Sequence, residues 1–206
     1  MIDQLRWLHV SDFHIVASGD EFSQGVAMRS LLQDIATRLD ERRPMSFVLV
    51  TGDMAFSGRE QEYERASGFL LELASVSGVS PDRFFFVPGN HDVDRTRHRL
   101  AWVGARAEIT SQPAADRLLG NAQELSPLLG RQEMFWRFVR SFTGEQQRTQ
   151  TPDGLAYVVE LVIGGLRLSI LGLNSPWLSG GDAEEMKLVI GERQVINALA
   201  SIVQGS

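Results

Sequence analysis

Three short stretches of this 206-residue chain carry side chains suited to metal or proton chemistry: Asp12-Phe13-His14, Gly52-Asp53 and Gly89-Asn90-His91-Asp92. Carboxylate, imidazole and amide are donors that hard and borderline divalent ions accept. The chain has no cysteine, so disulfides and thiolate zinc sites are excluded, and any metal must be held by His, Asp, Glu or Asn. Taken singly, each stretch has a second reading. Asp12-x-His14 reads equally as turn chemistry with a capping aspartate, and Asp53 as a cap. Pro88-Gly89-Asn90 suits a tight turn in which His91 is incidental. The turn readings leave one thing unexplained, which is that all three stretches directly follow an apolar run.

Those runs, Trp7 to Val10, Phe47 to Val50 and Phe84 to Val87, have the length and bounding turns of buried strands. Apolar residues recur at three- and four-residue steps from Phe22 to Leu39, and again from Arg59 to Ala74 through Tyr63, Ala66, Phe69, Leu70 and Leu73, which predicts a helix in each gap. Strands alternating with helices imply βαβ units, a largely parallel sheet and right-handed crossovers. Ligands of such sheets bind beyond the carboxyl ends of the strands. With the three strands adjacent, Asp12, His14, Asp53, Asn90 and His91 converge at one edge, where a carboxylate such as Asp53 could be shared by two ions. Two ions about 3.5–4 Å apart clamp a phosphate, activate water and stabilise both attacking and leaving oxygens.

The second half changes character. Residues 95–142 are rich in Arg, Ala, Leu and Gln with no strand-like run, and are predicted as a helical insertion or cap ending in an amphipathic helix that carries Met134, Phe135, Phe138 and Val139. Leu155 to Ile163 and Leu166 to Leu173 flank Gly164-Gly165, a turn pair suited to an antiparallel hairpin. After a polar loop, a last helix from Gly191 or Glu192 to about Val203 is expected to bury Val195, Ile196, Leu199 and Ile202.

D-x-H, then G-D, then G-N-H-D, in this order and each closing a strand, resembles the calcineurin-like metallophosphoesterase family over about residues 5 to 200. The resemblance implies an α/β fold, a β-sandwich flanked by helices in four layers (α/β/β/α), here as a single domain over 1–206 with the helical insertion at 95–142. It implies that Asp12 and His14 bind a first metal, that Asp53 bridges two, and that Asn90 binds the second. His91 would then protonate the leaving group, and Asp92 would orient His91. The implied cofactors are two divalent ions, manganese first, with Fe, Zn, Ni and Mg also suited to such a mixed oxygen and nitrogen set. The implied activity is hydrolysis of phosphomono- or phosphodiesters, nucleotides and nucleic acids among the candidate substrates.

Leu171-Gly172-Leu173-Asn174-Ser175 and Gly191-Glu192-Arg193-Gln194 are similar to the family segment that precedes its remaining ligands, a His on a strand and a G-H-x-H stretch. All four histidines here, His9, His14, His91 and His98, lie in the first half. The expectation is therefore a C-terminally incomplete domain, the N-terminal catalytic module of a longer protein with a further C-terminal domain. With part of its ligand set missing it would be weak or inactive by itself. The alternative is a non-catalytic interaction or regulatory module that keeps the fold.

The charge balance, 20 Lys and Arg against 26 Asp and Glu, gives a net charge of -6 and no basic field for nonspecific nucleic-acid binding. That argues against a dedicated nucleic-acid binder and not against a nuclease. Without a basic N-terminal segment leading into an apolar one, or an apolar run of membrane length, the expected location is cytoplasmic with no membrane partner. Four smaller features stay open. Arg95, Arg97, Arg99 and Arg106 could steer a phosphate or form a solvated helix face. Trp177 could stack on a flat substrate or pack under its loop. His9 reads as a core or edge histidine, and His98 as exposed.

Overall fold

The structure is a computed structural model that describes residues 5–18, 21–39, 45–144, 148–180 and 188–204. Its first half is β1 (Trp7–Val10), α1 (Glu21–Arg38), β2 (Phe47–Thr51), α2 (Glu60–Ser77) and β3 (Phe84–Val87). The three strands lie side by side in the order β1-β2-β3, all parallel, with Trp7 opposite Phe47 and Val48 opposite Phe84. Parallel pairing requires crossovers, which α1 and α2 supply. α2 is closed at its start by the Glu62 carboxylate, which accepts from the backbone N–H of Ser57 and of Arg59, and at its end by Gly78 at φ 68°.

Side-chain alternation along the strands gives the sheet two apolar faces. Val10, Val48, Val50, Phe84 and Phe86 face a helical layer that includes Ile35 of α1 and Tyr63 and Leu70 of α2. Phe47 and Phe85 face the other way, against Tyr157 and Val159. Those two belong to a second, antiparallel sheet of β4 (Thr149–Gln150), β5 (Ala156–Ile163) and β6 (Leu166–Leu173). β5 and β6 pair fully, from Ala156 opposite Leu173 to Ile163 opposite Leu166. Gly164 and Gly165 both hold positive φ, as a two-residue hairpin turn that follows the strand twist requires. On the outer face of this sheet Ala156 and Val158 pack on Ala198 of α7 (Glu192–Gln204). The layers are thus helices, sheet, sheet, helix, as the family likeness implies.

Between β3 and β4 run α3 (Arg99–Glu108), α4 (Gln112–Leu119), α5 (Ala122–Leu129) and α6 (Glu133–Thr143). They do different things. Phe135, Phe138, Val139 and Phe142 of α6 join the main core, with the Phe138 and Phe142 rings 5.6 and 5.7 Å from Phe86. α3 to α5 instead gather around Leu155, Trp177 and Leu178 in a core of their own.

The last helix corrects one expectation. Ile196 and Leu199 are 57% and 50% exposed, and the inward positions are Gln194, Ala198 and the half-buried Ile202. The cause is polar. The Gln194 amide accepts from the Asn174 backbone N–H at 2.6 Å and donates to its carbonyl at 3.1 Å. Satisfying those buried groups at the end of β6 turns the 194–198–202 stripe of α7 toward the sheet.

Candidate metal centre

At the carboxyl ends of β1 and β2 the chain departs from ordinary backbone geometry at three non-glycine residues, Asp12 (φ 61°), His14 (φ 46°) and Asp53 (φ 54°). Left-handed backbone costs roughly 1–2 kcal/mol per ordinary residue, and the surroundings must hold it. The holding bonds are backbone to backbone: Asp12 N–H donates to the Gly52 carbonyl at 3.2 Å, His14 N–H to that of Asp53 at 2.9 Å, and Ile15 N–H to that of Met54 at 2.9 Å. The loop after β1 is therefore zipped to the loop after β2, and its side chains are turned to the same side.

The result is a cluster. Asp12, His14 and Asp53 each offer a donor atom within 4.8 Å of the others, and His14 Nε2 stands 3.8 Å from an Asp12 carboxylate oxygen. Buried Nδ1 of His14 has no hydrogen-bond partner among the described residues. The donor set of two carboxylates and one imidazole fits a divalent cation.

The third loop closes onto the second. A side chain at Gly89 would run into the Asp53 carboxylate and backbone, and one at Gly52, which has φ 95°, would meet the backbone of Gly89 at 2.8 Å. Glycine at both positions lets the two loops touch through their backbones. Asn90 opens the single helical turn Asn90–Asp92 that follows, and His91 N–H donates to the Asp53 carboxylate at 2.8 Å. The His91 ring stands edge-on to His14, centroids 4.5 Å apart. All five residues predicted to converge, Asp12, His14, Asp53, Asn90 and His91, thus lie on three loops in direct contact.

Asp92 is buried between the loops. It is 1% exposed, and its carboxylate accepts from the backbone N–H of Gly89 (2.9 Å) and Ala55 (3.0 Å) and from the Tyr63 hydroxyl (3.0 Å). Burial pushes the Asp92 carboxyl up to about 6. This group ties the β3 loop, the β2 loop and α2 together. The His91 ring is held through Nδ1, 2.8 Å from the Phe56 carbonyl. Sequence reasoning missed Phe56 and Tyr63 in these roles. A carbonyl carries no side-chain signal, and Tyr63 fits the apolar stripe of its helix.

Other readings resolve as follows. Trp177 is fully buried and donates its indole N–H to the Val189 carbonyl, so it packs under the loop and is not available for stacking. His9 is exposed at the sheet edge, Nε2 2.6 Å from the Thr51 hydroxyl, and His98 is exposed at the start of α3. Arg97 pairs with Glu133 at 2.6 Å. Arg131, which no motif singles out, is 2% exposed, with its guanidinium 5.6 Å from the Trp102 ring. Among the described residues no helix is long and apolar enough to cross a membrane.

Comparison with known proteins agrees with this geometry. A sequence model of the calcineurin-like phosphoesterase family matches residues 5–161. Over 198 residues the chain is 25% identical to an uncharacterized metallophosphoesterase-like protein of Bacillus subtilis, a match covering 95% of this chain and 38% of that protein. Over 84 residues it is 30% identical to a 3',5'-cyclic-nucleotide phosphodiesterase of Nostoc sp., covering 40% of this chain and 29% of that protein. The chain thus spans less than half the length of either relative.

Proposed function

Because the chain belongs to the calcineurin-like phosphoesterase family, we propose that it hydrolyses phosphate mono- or diesters through two divalent ions held by Asp12, His14, Asp53 and Asn90. The observation that carries this reading is the convergence of Asp12, His14 and Asp53, each on left-handed backbone, with donor atoms within 4.8 Å of one another. Ions bound there supply Lewis acidity toward phosphate oxygens and water. Asp53, central among the three loops, is the candidate shared carboxylate. Manganese is the first ion to try, since the donor set suits several and selects none.

His91 is the proposed proton donor to the leaving oxygen. The carbonyl of Phe56 can only accept, so Nδ1 carries a hydrogen and proton exchange falls to Nε2. Asp92 acts one step back, fixing the turn that carries His91. The proposed insertion at 95–142 of a single domain, which holds α3 to α5, is the candidate for shaping substrate choice. A nucleotide substrate is supported by the name of one relative, the cyclic-nucleotide phosphodiesterase.

We place the remaining metal donors outside residues 1–206. Support comes from the position of all four histidines at or before residue 98, and from relatives that extend far beyond the matched stretch. The test is elemental analysis after manganese loading, with hydrolysis of bis(p-nitrophenyl) phosphate and p-nitrophenyl phosphate. On this reading the 206-residue chain retains fewer than two tightly held ions and turns over weakly, and a longer form holds two and turns over fast. Metal content no higher than that of an Asp53→Asn variant, in both forms, would sink it.

A further inference from the structure

His14 is held in its left-handed conformation through both of its peptide planes. Its N–H donates to the Asp53 carbonyl at 2.9 Å, and its own carbonyl accepts from the Gln24 amide of α1 at 2.8 Å. Through its oxygen the same amide accepts from the Val16 N–H at 3.4 Å, so one side chain bonds the loop on either side of Ile15, as a neighbouring strand would. Ile15 turns its own backbone the other way, its N–H donating to the Met54 carbonyl and its carbonyl accepting from the Phe56 N–H at 3.0 Å. The Val16 carbonyl accepts from the Arg65 guanidinium of α2 at 2.6 Å. The N–H and the carbonyl of each of residues 14–16 are thus bonded, on one side to the β2 loop and on the other to two helices.

Met28, Leu32 and Ile35 of α1 pack on the main core, and Gln24 continues that stripe one turn earlier. A half-buried amide at such a place is tolerated because both of its ends are bonded to the loop. Fixing the two peptide planes of His14 fixes the direction of its Cα–Cβ bond, and with it the start of the imidazole. We infer that Gln24 is a positioning residue for the metal centre, acting through the His14 carbonyl to hold the ring toward Asp12 and Asp53, with Arg65 securing the loop at Val16. This rests on the reading of that cluster as a metal centre. A residue with a side chain disfavours left-handed backbone, so a loop without the Gln24 bonds samples extended conformations that carry the imidazole off the cluster. Groups that orient a metal ligand commonly govern affinity by about 10- to 100-fold.

Gln24→Met keeps the length of the side chain and removes both bonds, and Gln24→Ala serves as the second variant. Manganese alone is titrated by calorimetry into the 206-residue chain and into the longest form that holds its metals, and amide hydrogen exchange is followed without metal. The manganese Kd should weaken about tenfold or more in both variants, with the metal-free unfolding midpoint within about 4 °C of the parent's. Exchange at the His14 and Ile15 amides should quicken about five- to tenfold, the scale of one lost hydrogen bond, while the β1 amides keep their rates. Asn197→Ala removes a part-buried bond to Asp153, on α7, and should leave the Kd unchanged at a similar cost in stability. Arg65→Met should also weaken binding, although removing a positive charge by itself favours a bound cation. An unchanged Kd in both Gln24 variants, or an equal loss in Asn197→Ala, overturns the positioning role and leaves the metal reading standing. Tighter binding in Arg65→Met overturns the part given to Arg65. No manganese binding by the parent in any form overturns both the metal reading and the role of Gln24.

Discussion

The backbone N–H of His91 donates to the Asp53 carboxylate across 2.8 Å. One side chain therefore belongs to the candidate metal cluster and also fixes the turn that carries the proposed acid. The two duties can be separated, because an asparagine oxygen accepts the same N–H without the negative charge. Asp53→Asn is expected to keep its fold, with a metal-free unfolding midpoint within about 4 °C of the parent's, a shift on the order of 1 kcal/mol. Bound metal should fall to background. Elemental analysis alongside calorimetry checks both halves, and retention of metal by the variant would remove Asp53 from the ligand set.

His91→Ala should spare metal binding, since the His91 side chain lies outside the Asp12, His14 and Asp53 group. Turnover of an alkyl ester should drop on the order of 10²-fold or more, the usual scale for a positioned proton donor. A p-nitrophenyl ester, whose leaving group departs without a proton, should be affected much less. Equal losses on the two substrates would argue for a binding role instead. The comparison belongs in a form of the protein that carries its full ligand set.

Asp92→Asn should destabilise the fold even without metal. The buried carboxylate accepts from Gly89, Ala55 and Tyr63, and an amide would turn donors toward donors. The expected loss is about 1–3 kcal/mol, the cost of buried groups left unmatched. Tyr63→Phe removes a single partner and should cost about 1 kcal/mol. Urea titration measures both. If both variants match the parent, Asp92 does not brace the loops.

Tyr157 gives a pH dependence unconnected with the metal site. Its hydroxyl donates to the Phe86 carbonyl at 2.9 Å, joining the two sheets, and burial pushes the phenol up to about 12. A raised pKa means that the folded state keeps a proton the unfolded chain gives up. The stability linked to this group is therefore fully present below pH about 10 and is lost as pH rises through 12, by on the order of 2 kcal/mol. Tyr157→Phe should flatten this part of the stability profile. A decline of equal size in the variant would assign it to other groups.

Much of this was legible in the sequence where period and position coincide. The three strands lie where their apolar runs predicted, and Gly164-Gly165 forms the predicted hairpin turn. The contact between the three loops that carry Asp12, His14, Asp53, Asn90 and His91 followed from parallel topology. The misses share a physical cause, which is that buried polar contacts leave no periodic trace. The apolar stripe of α7 was misassigned because Gln194, a polar residue, is the one drawn inward. The bracing contacts of Asp92 likewise leave no trace, since they reach Ala55 and Tyr63, 37 and 29 residues back.

α6 lies across Phe84 and Phe86 of β3 although nearly fifty residues separate Phe86 from Phe135. Synthesis proceeds from the N-terminus, so the ribosome releases β1 through β3, and with them all five converging residues, well before α6 exists. During that interval the two phenylalanines are an uncovered sticky face, and a nascent or prematurely ended chain of that length is a target for chaperones and for self-association. The three loops of the centre are encoded early, yet this face of the sheet that carries them is closed only when a later helix arrives.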